Sequence, residues 1–134
     1  MTKNLSHFFR YQFPAVLWAM LIFVASSIPG TKLPKLALLV NDKIIHATIF
    51  FVFGLLMYRA LESPAKKLGI FEWRRLSIAV VIVILYGFAD EFHQGFVPGR
   101  TLDIKDAAAD AVGGIISGAV VYLAALRKKL KGRY

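Results

Sequence analysis

Four uncharged, strongly apolar runs divide the chain: Phe13–Ile28, Ile44–Tyr58, Leu76–Ala89 and Ala111–Leu126. Each falls somewhat short of the roughly 20 residues that a helix needs to cross about 30 Å of hydrocarbon. Taken singly, such runs would suit buried helices of a soluble core. Four of them in 134 residues, each with basic flanks, read instead as membrane helices. The pattern predicts helices over about 13–29, 43–61, 75–94 and 106–126. The fold class is therefore an all-α integral membrane protein, a four-transmembrane-helix bundle in a single domain, 1–134. Lys3 and Arg10 precede the first run, and Ala25-Ser26-Ser27 has the form of a signal-peptide cleavage site. The run is long for a signal peptide and three more follow, so it reads as an uncleaved helix.

Composition agrees. At 57% hydrophobic residues the chain exceeds the 45–50% usual for a soluble domain, and there is no cysteine to form a disulfide or a thiolate metal site. The net charge of +9 lies in short blocks between the runs, which excludes the continuous basic face of a nucleic-acid binder. Twelve of the 17 Lys and Arg fall in the N-terminus, the middle connection and the C-terminus; the first and third connections hold Lys32, Lys35, Lys43, Arg100 and Lys105. By the positive-inside rule both termini are cytoplasmic. Lys66-Lys67, Arg74-Arg75 and Arg127–Arg133 would also suit anionic lipid, at about 1 kcal/mol per charge.

The acids fall the other way. Ala89–Asp110, ADEFHQGFVPGRTLDIKDAAAD, contains five of the eight carboxylates, and Asp42 belongs to the same side. Acids have little effect on topology, so their asymmetry has another cause. The 14 residues of the third run rise only about 21 Å as a helix. To span, that helix must continue through Asp90, Glu91 and His93. The fourth must borrow Asp110 and Asp106, and the second His46, beside Asp42 and Lys43. Ionisable groups drawn into a membrane boundary are costly, pair with one another and mark functional sites.

Asp42 with His46 and Asp106 with Asp110 are i,i+4 pairs that share a helix face. Asp90 with His93 and Glu91 with Gln94 occupy adjacent faces, of which one at most is expected to point fully inward. Pro98-Gly99 marks a turn that returns Arg100 toward the carboxylates, where it would pair with Asp103, Asp106 or Glu91, or bind phosphate. Gly114 and Gly118 have the GxxxG spacing of close helix packing, within one chain by default and between copies as the alternative.

These pieces, SSIPG after the first helix, DKIIHATIFFVFGLL opening the second, and DEFHQGFVPGRTLDIKD followed by DAVGGIISG, resemble the VanZ-like family of small bacterial membrane proteins. The resemblance covers nearly all of the chain after its first dozen residues. It implies a cell-envelope function associated with resistance to teicoplanin, but supplies no reaction. Carried over by motif are Asp42, Lys43, His46, Glu91, Gln94, Arg100, Asp106 and Asp110. Asp110 departs from the family pattern, which often has asparagine there. An aspartate in a position that only donates a hydrogen bond needs a proton or a cationic partner such as Arg100.

The chemistry these groups suggest is action on a lipid-linked phosphate at the outer leaflet. Glu91, His46 and Asp106 are the candidate acids and bases. Arg100, Lys43, Gln94, Asp42, His93 and Asp110 are the candidate binding groups. Carboxylates with a histidine would also hold a divalent ion, although no metal-ligand motif is recognisable. Thr48, Thr101 and Tyr86 are the nearby hydroxyls, which makes a covalent nucleophile improbable. The alternatives are a non-enzymatic protein that binds or masks an envelope precursor or antibiotic, and a small transporter or flippase built as a homo-oligomer.

Overall fold

The computed structural model describes residues 2–32, 41–62 and 70–132. Lys35, Lys66, Lys67 and Arg133, which entered the orientation reading, lie outside the described residues. Helix α1 (Thr2–His7) passes through a π-turn (Phe8–Gln12) into α2 (Phe13–Ser26) to make the first span. Helices α3 (Asp42–Ala60), α4 (Ile70–Gln94) and α5 (Ile104–Lys131) follow, and the described residues include no strand. Four helical stretches, Leu5–Ser26, Asp42–Ala60, Trp73–Gln94 and Ile104–Lys131, are long and apolar enough to cross a membrane. The protein is a multi-pass membrane protein.

The missing length comes from polar ends. Helix α3 starts on Asp42, behind an Asn41 cap whose side chain accepts from the Lys43 N–H. Helix α5 starts behind Asp103, which accepts from the Lys105 N–H at 2.8 Å. Both caps satisfy N–H groups that the first turn leaves unpaired, and acids there suit the positive end of the helix dipole. Helix α4 carries Asp90–Gln94 in its last turns. At the other end α5 runs five residues past the expected 126, because Lys128, Lys129 and Lys131 in its last turn favour the negative end of the dipole. The first span starts earlier than expected and ends at Ser26 instead of 29. Arg10 and Tyr11 continue the helix, whereas Pro29 and Gly30 end it.

Helix packing depends on missing side chains, since apolar groups gain little by leaving lipid for protein. A Cβ on Gly113 of α5 would lie 2.2 Å from the Ala47 carbonyl oxygen of α3, and one on Gly54 of α3 would lie 2.0 Å from Ser117 Oγ. Gly114 and Gly118 meet Val83 and Val80 of α4. The glycine spacing thus serves packing within one chain. The core beneath is Ile22, Phe50, Phe53 and Val83, with Trp18 and Tyr86 against it. Trp18 Nε1 donates to Ile49 O at 3.1 Å and Tyr86 Oη to Ala19 O at 2.7 Å, which keeps both polar atoms satisfied away from water. The bundle exterior carries exposed Leu17, Leu21, Leu85, Phe88, Ile116 and Leu123, a surface suited to lipid.

Two sequence motifs meet at one end of the bundle. Arg100 N–H donates to Val97 O at 3.0 Å, closing a turn with Pro98 and Gly99 at its centre. Gly99 has φ +74°, as a type II turn requires at that position. Gly30 N–H, from the SSIPG stretch, donates to Pro98 O at 3.1 Å, and a Cβ on Gly30 would fall 1.9 Å from Gly99 O. Only glycine permits that approach. It fixes the end of α2 against the α4–α5 connection.

Candidate functional site

Around that contact the ends of α2 and α4 meet the beginnings of α3 and α5, and each contributes polar side chains. Asp110 is fully buried, Glu91 is 2% exposed, and Asp90 and Gln94 are buried beside them. His46, from α3, stands between the carboxylates. Its Nδ1 is 2.9 Å from Asp110 Oδ1 and 3.9 Å from Glu91 Oε1, and its Nε2 is 3.9 Å from Asp106 Oδ2. The partner of Asp110 is therefore His46 and not Arg100. The i,i+4 spacing puts Asp110 on the face of α5 that meets α3, whereas the turn carries Arg100 to the opposite flank.

Glu91 is held from both sides. Gln94 Nε2 donates to its Oε1 at 3.1 Å and the Asp103 backbone N–H to its Oε2 at 3.1 Å. The same Gln94 nitrogen donates to Asp90 Oδ2 at 3.0 Å, while Gln94 Oε1 accepts from Arg100 Nη1 at 3.0 Å. Gln94 is thus an amide bridge from Arg100 to two acids. Arg100 also donates to Ala25 O at 3.1 Å and Ile28 O at 3.3 Å, and among the described residues it forms no ion pair. The expected bridges to Asp103, Asp106 or Glu91 do not form, because three neutral oxygens of α2, its following loop and Gln94 direct the guanidinium away from them. Its charge stays uncancelled.

Lys43 is committed differently. Its ammonium meets Asp42 Oδ2 at 3.3 Å, Asp103 Oδ2 at 3.0 Å and Asp106 Oδ1 in a short contact. Asp42 lies on the rim, with its side chain 65% exposed. Asp103, outside the spans, is held below the usual carboxylate range, first by the hydrogen bond from the Lys105 N–H and then by Lys43.

Asp90 and Glu91 are consecutive, yet both are buried, contrary to the expectation that one face of α4 would point inward. Helix α4 is covered on two sides. Glu91 faces α3 and α5, and Asp90 faces α2, where Ser26 Oγ lies 2.8 Å from its Oδ2. His93 is left at the edge, 3.0 Å from Ser27 Oγ and stacked on Phe23. Asp90 was expected at the polar boundary but given no role, and Ser26 was missed; the adjacent serines of SSIPG were the available signal for Ser26. The sequence could not show that α2 packs against α4. Tyr86 is used by Ala19, Thr48 bonds its own helix at Ile44 O, and Thr101 is exposed. Among the described residues, no hydroxyl is poised as a nucleophile between His46 and Glu91. A metal ion would find one ligand atom each on His46, Glu91 and Asp110, all within 4.8 Å of one another.

Comparison with known proteins places the chain. It is 30% identical over 80 residues to an uncharacterized protein of Schizosaccharomyces pombe, covering 60% of this chain and 46% of that one. The chain thus spans less than half the length of that curated relative. No solved structure matches it. The VanZ/LLP1 family matches residues 9–126. This stretch holds every polar residue of the site, and the chain belongs to that family, a membership that fits a multi-pass membrane protein of the cell envelope associated with teicoplanin resistance.

Proposed function

We propose that the polar end of the bundle faces the outside of a bacterial cytoplasmic membrane, where it binds a lipid-linked phosphate of the cell envelope and acts on it. The observation that carries this reading is the convergence of Glu91, Asp110 and His46, from three different helices, in a buried cluster at one end of the bundle. Buried ionisable groups at a membrane boundary are expensive and persist where they serve a function. Arg100 supplies the uncancelled charge for a phosphate oxygen, and its planar fork suits two such oxygens. His46 and Glu91 are close enough to exchange a proton with a substrate oxygen between them. Asp106 Oδ2, 3.9 Å from His46 Nε2, is the third candidate acid or base.

Two further observations support the reading. An apolar groove of about 650 Å³ follows the first span past Phe8, Val16, Met20, Val24, Met57 and Tyr86, and its length and lining suit an acyl or isoprenoid tail. Below the cluster, Phe50, Phe53 and Val83 fill the bundle. This favours chemistry at one surface over passage through a single chain. The orientation rests on the excess of Lys and Arg at the opposite end.

The experiment is to incubate the purified chain and its Glu91→Gln variant with polyprenyl and glycerolipid phosphates, with and without divalent ions, and to follow the lipids by mass spectrometry. A changed lipid mass with the parent alone is the expected result. Lipid retained without change would replace catalysis with binding or masking, and neither signal would overturn the lipid-phosphate reading. A reporter fused within the Gly95–Lys105 connection is expected to lie outside the cell, and a cytoplasmic signal would reverse the orientation.

A further inference from the structure

We propose that His46, Glu91 and Asp110 form a binding site for one divalent metal ion. The assignment stands on the arrangement of these side chains and does not depend on the lipid-phosphate reading.

The first ground is the donor set. One imidazole nitrogen and two carboxylate oxygens lie within 4.8 Å of one another. Ligands bound at 2.0–2.2 Å with tetrahedral to octahedral angles are about 2.8–3.6 Å apart, so the three side chains need only a small contraction. His46 Nδ1 is the nitrogen nearest both acids, at 2.9 Å from Asp110 and 3.9 Å from Glu91. Its other nitrogen faces Asp106 Oδ2 at 3.9 Å, in the direction where metal-bound histidines usually find an outer carboxylate.

The second ground is an orphaned atom. Asp110 is fully buried and, among the described residues, its Oδ2 has no hydrogen-bond partner. An unpaired buried carboxylate oxygen is costly, and a cation removes the cost directly. Gly87 of α4 packs directly against Asp110, so no side chain at that position partners the oxygen. A Cβ on Gly87 would lie 3.2 Å from that Oδ2 and 2.8 Å from Asp110 Cβ. The Oδ1 of Asp90, one helical turn beyond Gly87, is also buried and unpartnered.

The third ground is charge. Asp42, Asp90, Glu91, Asp103, Asp106 and Asp110 gather around two permanent cations, Lys43 and Arg100. The balance stays negative with Lys105 and a protonated His46 included. Lys43 cancels part of the rim, and among the described residues Arg100 pairs with no carboxylate. A divalent ion in the interior would offset the remaining repulsion, and its open positions would accept an anionic oxygen that the bare acids would repel. Oxygen-rich ligation with one imidazole points to Mn²⁺, Zn²⁺ or Mg²⁺.

The test uses the purified full chain in nanodiscs, loaded separately with Mn²⁺, Zn²⁺ and Mg²⁺ and dialysed against metal-free buffer. About one ion per chain is expected for at least one metal. In the Mn²⁺ sample, pulsed electron paramagnetic resonance should show coupling to one imidazole nitrogen. Glu91→Gln and His46→Gln should each weaken retention by about tenfold or more, with unchanged circular dichroism, whereas Asp42→Asn and Asp103→Asn on the rim should retain the ion. Stoichiometric loss of all three metals by the parent would overturn the site. So would manganese bound without nitrogen coupling, or retention that depends on the rim aspartates instead. The parent's own spectrum decides the matter if a variant fails to fold.

Discussion

The two ends of the bundle are both rich in charge and handle it in opposite ways. At the polar end, acids, His46, Gln94 and Arg100 bond one another across four chain segments, and the acids at the centre are buried. At the other end the cations lie over aromatic rings. Arg75 sits 3.7 Å above the Tyr58 ring, Arg59 and Arg10 each lie 5.6 Å from Tyr11, and Trp73 packs on Tyr122. Arg59 also donates to Arg10 O at the π-turn. One end bonds its charged groups to one another; at the other, among the described residues, the cations form no ion pair and lie over aromatic rings. Orientation and anchoring need only the second arrangement, so the first calls for a functional explanation.

The comparison breaks most visibly through function. Glu91→Gln and Arg100→Ala should insert normally yet lower teicoplanin tolerance to that of cells lacking the protein, while Arg75→Ala should leave it unchanged at equal membrane levels. Site variants as active as the parent would remove the polar end from the mechanism. A smaller effect is expected on stability from the glycine seam that joins both ends. Gly113→Ala drives a methyl group toward the Ala47 carbonyl and the Phe51 amide, backbone atoms that cannot yield, and should cost about 1–3 kcal/mol in reversible detergent unfolding. A cost near zero would mean that α3 and α5 pack less closely than described.

Much of this was legible from the pattern of the chain. The uncharged runs located four helices, and their shortness forced Asp90, Glu91, His46, Asp106 and Asp110 into the ends of three of them. What periodicity could not supply was azimuth and partner. The i,i+4 spacing of Asp106 and Asp110 gave a shared face but not that His46 would stand opposite it. The Pro98-Gly99 turn was evident, but its docking on Gly30, which turns Arg100 toward the carbonyls of Ala25 and Ile28, depends on a contact between residues 69 positions apart. Ser26 became part of the site for the same reason.

At the opposite end, Arg75→Ala removes a single cation–π contact and should cost about 0.5–1 kcal/mol. The same unfolding assay reads it, and a cost as large as that of Gly113→Ala would show an organised network where the account has none. The smallest effect concerns the rim. Asp103 is depressed by the Lys105 N–H and by Lys43, so its capping bond is at full strength at neutral pH. It weakens once the pH falls below the ordinary aspartate value near 3.9 and is lost as the pH passes the lower folded value. The stability gap between the parent and Asp103→Ala should therefore be constant above about pH 5 and close in strong acid. A gap that widens with acid would contradict the assignment.

The central claim, that one end is a site and the other an anchor, is tested most directly by lipid retention. Native mass spectrometry of the parent, Arg100→Ala and Arg75→Ala would be recorded in nanodiscs doped with a polyprenyl phosphate. Phosphate-dependent retention is expected of the parent and of Arg75→Ala, with its loss in Arg100→Ala. Retention that survives in Arg100→Ala and disappears in Arg75→Ala would place recognition at the basic end and contradict it.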